Sequence, residues 1–250
     1  MKNSVQKNIT FKQFKSSILE DYKIAITSRE TSLIGRKEVL SGKAKFGIFG
    51  DGKEVAQLAM ARVFRKGDFR SGYYRDQTFM MAKGLLSIES FFAQLYSNTN
   101  LEDEPSSAGR QMNSHFATRM LDPSGNWRDL QKEYNSSADL SPTASQMPRL
   151  LGLAQASKIY RESRLNFSNF TQNGNEVAFG TIGNASTSEG LFFETINAAG
   201  VMQVPMIISI WDDGWGISVS SKYHTTKENI FEVLKGFEST TEKKGITLLK

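Results

Sequence analysis

The feature that most constrains this chain is a strand–helix–strand series in its second half. Residues 176–182 and 206–211 read as buried strands, and 187–201 between them reads as a helix. Strands joined through a helix run parallel, and a parallel sheet needs both faces covered. The expected fold class is therefore α/β, a parallel sheet with helices on both faces. The first strand runs into TIGNASTSEG. Ser186 and Glu189 have the S-x-x-E spacing of a capping box, which predicts the helix start at that point. A helix start there aims free N–H groups and a positive dipole end into the crevice at the carboxyl ends of the strands, a setting that suits a diphosphate. Gly183, Ala185 and Ser186 are small enough to let a ligand approach the backbone. A capped helix after a strand accounts for the same residues without any ligand.

The second strand ends in WDDGWGIS, and Asp213 falls 29 positions after Asn184. One strand–helix–strand later is the same sheet edge. An amide oxygen from Asn184, a carboxylate from Asp213 and the backbone carbonyl of Trp215 would supply three hard oxygen ligands. Mg²⁺ takes few carboxylates and completes its octahedron with phosphate oxygens and water.

The rest of the chain frames that unit. A helix is expected over 11–29, with Phe14, Ile18, Leu19, Tyr22 and Ile26 spaced to face a core, and another over 53–64 after GIFGDGKE. RKGD makes a turn, and 87–96 reads as a capped helix with Glu89 in its first turn. From 97 to 140, apolar periodicity disappears and Asn, Ser, Asp, Glu and Pro dominate, the mark of a functional loop or lid. A helix over 143–161 and a polar bulge over 165–174 complete the pattern. One domain over 1–250 is expected, helical over about 1–45.

Composition removes several function classes. There is no cysteine and there are only two histidines, so thiol nucleophiles, disulfides and zinc centres are poorly supplied. The opening segment has lysines but no apolar h-region, and the longest largely apolar run, 204–211, has eight residues, too few for a membrane helix. A cytoplasmic protein without a membrane partner is expected. The net charge of +5 comes from scattered lysines and arginines with acids between them, a solvated surface more than a nucleic-acid site.

The pair of segments GNASTSEG and WDDGWGIS resembles the thiamine-diphosphate motif, which opens Gly-Asp-Gly and closes Asn-Asn about thirty residues later. The nearer resemblance is to the alpha subunits of 2-oxo acid dehydrogenases, whose motif reads like GDGATSEG and then NNxxAIS. YYRD (residues 73–76) is similar to that family's YRD, GRQMNSH (109–115) to its GRQMPVH and LSPTASQMPRLLG (140–152) to its SPLATQIPQAVG. The RKGD turn also matches, and the matches run in order over roughly 35–220. GRQM and SPTASQMP look closer to the branched-chain type. Two letters depart: Asn184 stands where the family has its metal-binding Asp, and Asp213 where it has its second Asn, a swap that keeps one carboxylate and one amide. Ala185 replaces the last glycine of the motif, which puts the tight turn in question. The literal Gly50-Asp51-Gly52 lacks a strand-end partner thirty residues on and is set aside as a metal site.

The resemblance implies thiamine diphosphate and Mg²⁺ as cofactors. Tyr74 and Arg75 match diphosphate-touching positions; the alternative is a structural ion pair of Arg75 with Asp76 or another acid. Ser141 and Thr143 match a loop that also touches the diphosphate, or else form the start of the next helix. In some relatives that loop holds K⁺, which would involve Pro142, Ser145 and Gln146. His115 matches an active-site histidine, and its imidazole suits proton transfer near neutral pH; His224 is given no role. The implied reaction is oxidative decarboxylation of a small, branched-chain 2-oxo acid, with acyl transfer to the lipoyl group of an acyltransferase. The implied partner is a beta subunit or beta-like domain that supplies an activating glutamate. The tail lacks a family-type histidine loop, so the chain reads as incomplete at its C-terminus and inactive without its partner. A non-catalytic scaffold of the same fold, with its metal site lost, is the competing reading.

Overall fold

A computed structural model describes residues 9–163, 169–171 and 174–250, so most of the expected 165–174 bulge and the first eight residues lie outside the described residues. In chain order the elements are α1 (Phe11–Leu40), α2 (Glu54–Val63), β1 (Phe69–Ser71), α3 (Gln77–Ala82), α4 (Ile88–Leu95), β2 (Asn135–Ser136), α5 (Gln146–Glu162), β3 (Ala178–Gly183), α6 (Gly190–Met202), β4 (Met206–Trp211), β5 (Trp215–Gly216), β6 (Val219–Ser220) and α7 (Ile230–Leu234). The sheet order is β2-β1-β3-β4, and every pairing in it is parallel. β3 and β4 pair over their full length, from Ala178 opposite Met206 to Gly183 opposite Trp211. The expected α/β class and the parallel strand pair are present.

Alternation along these strands feeds two cores, one on each face. Phe179 and Trp211 join Phe64, Phe79, Met80, Phe91 and Phe116 from the α2–α4 side. Ala178 and Ile182, with Met206, Ile208 and Ile210 beside them, meet Leu150, Phe192, Ile196 and Ile230 from α5, α6 and α7. Helices therefore cover both faces, as a parallel sheet requires. No described helix is long and apolar enough to cross a membrane.

Four sequence readings need correction. α1 extends to Leu40, and the residues expected to face a core do not: Phe14, Ile18, Leu19, Tyr22 and Ile26 are all exposed. The helix instead buries Ser28, Thr31, Ser32 and Gly35. It packs on α3 through polar groups: the Ser28 and Thr78 hydroxyls lie 2.7 Å apart, and the Gln77 amide donates to the Ser28 carbonyl at 2.9 Å. The period was helical, but the apolar stripe is not the packed one.

The second correction concerns α5, which begins at Gln146 and not at 143, because Ala144 adopts φ +64° and no helix continues through the left-handed region. The third is the capping box. Ser186 does not cap α6; a 3₁₀ turn, Ala185–Ser188, comes first and α6 starts at Gly190, after Glu189 with no side-chain cap. It is Thr187, through its N–H and hydroxyl, that donates to the Asn184 carbonyl, at 3.1 and 2.5 Å. The long helix dipole is thus set back from the strand ends. The fourth lies in sequence read as loop or turn: β1 and β2 were unforeseen, being three and two residues long and polar (Arg70, Ser71, Asn135, Ser136).

Candidate functional site

Beneath the carboxyl ends of the strands lies a buried ion cluster that fixes the YYRD segment. Arg70 is fully buried and uses all five of its N–H donors. Nε donates to Asp76 at 2.7 Å, Nη1 to Ser136 and Asp139 at 2.8 and 2.9 Å, and Nη2 to the Tyr73 carbonyl and Asp139 at 3.1 and 3.0 Å. Asp76 also accepts from the Thr181 hydroxyl at 2.5 Å and the Trp211 indole at 3.3 Å, which ties it to β3 and β4. Burial works against the guanidinium charge, but Asp139 and Asp76 outweigh it and hold Arg70 firmly protonated. With Asp76 engaged inward, Tyr74 and Arg75 are left to face the crevice. Arg75 does not pair with Asp76; the alternative of a pair with another acid is met by Asp213, at 3.4 Å.

Asn184 and Asp213 emerge on adjacent strands. Gly183 pairs with Trp211, and the Asn184 N–H lies 3.4 Å from the Trp211 carbonyl, so the 212–215 turn follows directly beside Asn184. Asp213 is a crossing point. Its Oδ2 accepts from Lys53 Nζ at 2.9 Å and Arg75 Nη1 at 3.4 Å, while Oδ1 accepts from the Trp215 N–H at 3.0 Å. Burial pushes this carboxyl up, yet Lys53, the Trp215 N–H and Arg75 together hold it below the ordinary aspartate value. Arg75 Nε donates to the Tyr74 hydroxyl at 3.2 Å, and its guanidinium lies 5.6 Å from the Tyr74 ring centre.

Among the described residues, the buried polar atoms beside the crevice without a hydrogen-bond partner include Asn184 Nδ2 and the Tyr73 hydroxyl. Orphaned polar atoms carry a cost that a bound group removes. A flip of the Asn184 amide turns either its oxygen or its nitrogen toward such a guest. Two cations converging on one carboxylate oxygen, with two open polar groups nearby, suit an anionic, oxygen-rich ligand. A divalent ion is less simply accommodated, since both Asp213 oxygens are already engaged. The turn at Ala185 is sound: its φ is not left-handed, and room is made opposite, where a Cβ on Gly216 would lie 2.6 Å from the Ala185 methyl.

The other predicted residues form separate contacts. His115 is buried; its Nδ1 lies 3.2 Å from the Asn113 carbonyl and its Nε2 2.9 Å from the Ser141 hydroxyl. A carbonyl only accepts, so Nδ1 carries a proton, and in the neutral ring Nε2 is the nitrogen left to accept from Ser141. His115 also lines a cavity of about 220 Å³ with Ser107, Arg110, Gln111 and Phe116. Thr143 is exposed and donates to Glu189 at 3.4 Å. Neither Ser141 nor Thr143 caps α5, whose N-cap is Ser145. Gln146 spends its amide N–H on the Thr181 carbonyl at 3.0 Å, and the Pro142 carbonyl accepts from the Ser145 N–H at 3.2 Å.

Sequence reading missed Lys53 and Tyr73. Lys53 follows the Gly50-Asp51-Gly52 stretch that was set aside, and Asp51 is indeed taken by Arg36 at 2.7 Å. The usable signal was the lysine: a cation after a glycine turn at a helix start is a common partner of phosphates.

A family model described as "Dehydrogenase E1 component" matches residues 22–240. The chain belongs to this family. Among its relatives, the 2-oxoisovalerate dehydrogenase subunit alpha of Bacillus subtilis (strain 168) is 28% identical over 198 residues, 79% of this chain and 51% of that protein. The pyruvate dehydrogenase E1 component subunit alpha of Acholeplasma laidlawii is 24% identical over 216 residues, 86% and 51% of the two chains. The mitochondrial 2-oxoisovalerate dehydrogenase subunit alpha of Homo sapiens is 25% identical over 204 residues, 82% and 39%. The chain thus spans about half the length, or less, of these E1 relatives. The family expected from the ordered motifs is the family found.

Proposed function

We infer that this chain is the cofactor-binding alpha part of a 2-oxo acid dehydrogenase decarboxylating component. The observation that carries the reading is the convergence of Arg75 and Lys53 on Asp213 at the ends of β3 and β4, with the orphaned amide of Asn184 beside them. Thiamine diphosphate is the group these residues fit. Arg75 supplies a forked donor to its diphosphate, Lys53 a point charge, and Gly183, Asn184 and Ala185 the floor against which it lies. Tyr74 orients Arg75, and Ser141 and Thr143 lie on the loop expected to border the same group. When bound, the cofactor supplies a carbanion-stabilising centre for cleavage of the bond between the keto carbon and the carboxylate. Asn184, Asp213 and the Trp215 carbonyl are the expected Mg²⁺ ligands, and Asp213 would have to give up Lys53 or Arg75 to serve as one. K⁺ would lie in the 142–146 loop.

His115 is assigned the proton-handling role. Its Nδ1–H, anchored on the Asn113 carbonyl, leaves Nε2 as the atom that takes up or returns a proton, and the nearby cavity offers room for a small 2-oxo acid beside Arg110. The overall change is loss of carbon dioxide from the 2-oxo acid and transfer of the acyl group to a lipoyl disulfide, which is reduced. A beta subunit or beta-like domain provides the activating glutamate, and a lipoyl-bearing acyltransferase is the acceptor. Branched-chain preference rests on GRQM, on SPTASQMP and on the 2-oxoisovalerate names among the relatives.

One observation favours a second reading, a non-catalytic scaffold: Lys53 and Arg75 satisfy Asp213 as a purely structural pair would. Calorimetric titration of thiamine diphosphate with Mg²⁺, beta partner present, separates the two. Saturable binding, weakened by Arg75→Ala, is expected; absence of any heat establishes the scaffold.

A further inference from the structure

Lys53 is delivered by a fixed turn. A Cβ on Gly50 would lie 2.8 Å from the Arg75 carbonyl oxygen, so this turn lies against the YYRD backbone. The Gly52 N–H donates to Glu54 at 3.0 Å, and Glu54 is clamped by Arg29 through two bonds of 2.6 and 2.7 Å. The Lys53 side chain is only 16% exposed, and its ammonium meets Asp213 at 2.9 Å. The contacts at Asp213 itself are what count: its Oδ2 already meets Lys53 and Arg75, and its Oδ1 the Trp215 N–H. A divalent ion placed against Asp213 would face two resident cations on a carboxylate they already share, an unfavourable arrangement at short range. An anionic diphosphate faces the reverse: two cations side by side, with the lysine already positioned.

We propose that Lys53 is a further cofactor-binding residue, a tethered ammonium that takes over the divalent ion's charge-balancing role at Asp213 and makes diphosphate binding tolerant of metal removal. The proposal rests on the cofactor reading above and goes beyond it in making Lys53 the substitute for the metal's charge.

The test is calorimetric titration of thiamine diphosphate into the natively isolated protein with its beta partner, in excess EDTA and in excess Mg²⁺. The wild type should lose less than about tenfold in affinity on chelation. Lys53→Gln should lose a further 10- to 100-fold or so in EDTA, the range of one hydrogen bond to a charged group, and should recover in Mg²⁺. Lys53→Arg should behave as the wild type does. Asp213→Asn, which frees the ammonium, should bind in EDTA at least as well as the wild type and gain nothing from Mg²⁺. Far-UV circular dichroism checks that each variant is folded. The proposal is overturned if the wild type binds only with Mg²⁺, or if Lys53→Gln keeps the wild-type ratio of affinities in the two buffers. If the wild type binds the cofactor in neither buffer, the cofactor reading itself fails and takes the proposal with it.

Discussion

At the residue scale, the side chain on which most else depends is Arg70. It is fully buried, donates five hydrogen bonds and joins β1 to the YYRD segment, β2 and the 139 loop, while Asp76 in turn accepts from Thr181 of β3. Removing one partner of a buried ion cluster leaves the others uncompensated, at about 3–5 kcal/mol. Arg70→Met is therefore expected to lower unfolding stability by about that much, read from urea midpoints. Glu54 gives a pH-dependent expectation. Burial raises its carboxyl, but Arg29 and the Gly52 N–H overcome this and leave it below the ordinary glutamate value. A folded-state value below the unfolded one stabilises the protein above the unfolded value, about 4.3, and this is lost as pH falls through the folded one. The stability gap between wild type and Glu54→Gln should therefore be widest near neutrality and close on acidification. Equal gaps across an acid series of urea melts would refute the assignment. None of the Arg70 cluster was legible in the sequence: YYRD advertised Arg75, while the arginine five positions earlier looked like surface charge. Burial of a guanidinium depends on partners from the 73–76 segment and from 136–139, far apart in sequence, and no local pattern announces them.

At the element scale, legibility followed periodicity. The βαβ unit was readable because strands and helix each carry an unbroken apolar pattern, and the two strand ends met as their spacing required. Misreadings came where chemistry at a terminus decided the outcome. Ala144 in the left-handed region delays α5, and a 3₁₀ turn over Ala185–Ser188 moves the start of α6 from Ser186 to Gly190. α1 is the instructive case. Its apolar stripe is exposed, while Ser28, Ser32 and Gln77 make the buried contact, with Ser32 donating to Gln77 at 3.2 Å. Gln77→Leu should thus cost about 1–3 kcal/mol by stranding buried hydroxyl and carbonyl groups. Tyr22→Ser, on the exposed face, should stay within about 0.5 kcal/mol. Chemical denaturation of both variants decides which face of α1 is structural.

At the scale of the whole molecule, two cores share one sheet. Trp211 belongs to the α2–α4 core, yet it ends the strand whose Met206, Ile208 and Ile210 feed the opposite core, and its indole donates to Asp76 in the ion cluster. The two faces are thus coupled through side chains in a single layer. Thermal unfolding of the described region should be one transition, with the near-ultraviolet tryptophan signal and the far-ultraviolet helix signal lost at the same temperature. Separate midpoints would show that the faces melt independently. The order β2-β1-β3-β4 adds a longer consequence. On one flank the strands are two and three residues long, so backbone pairing there is slight and geometry is held by Arg70, Asp76, Ser136 and Asp139. A descendant of this sequence could drift freely at most surface positions, but at these four it must change in concert or stay as it is.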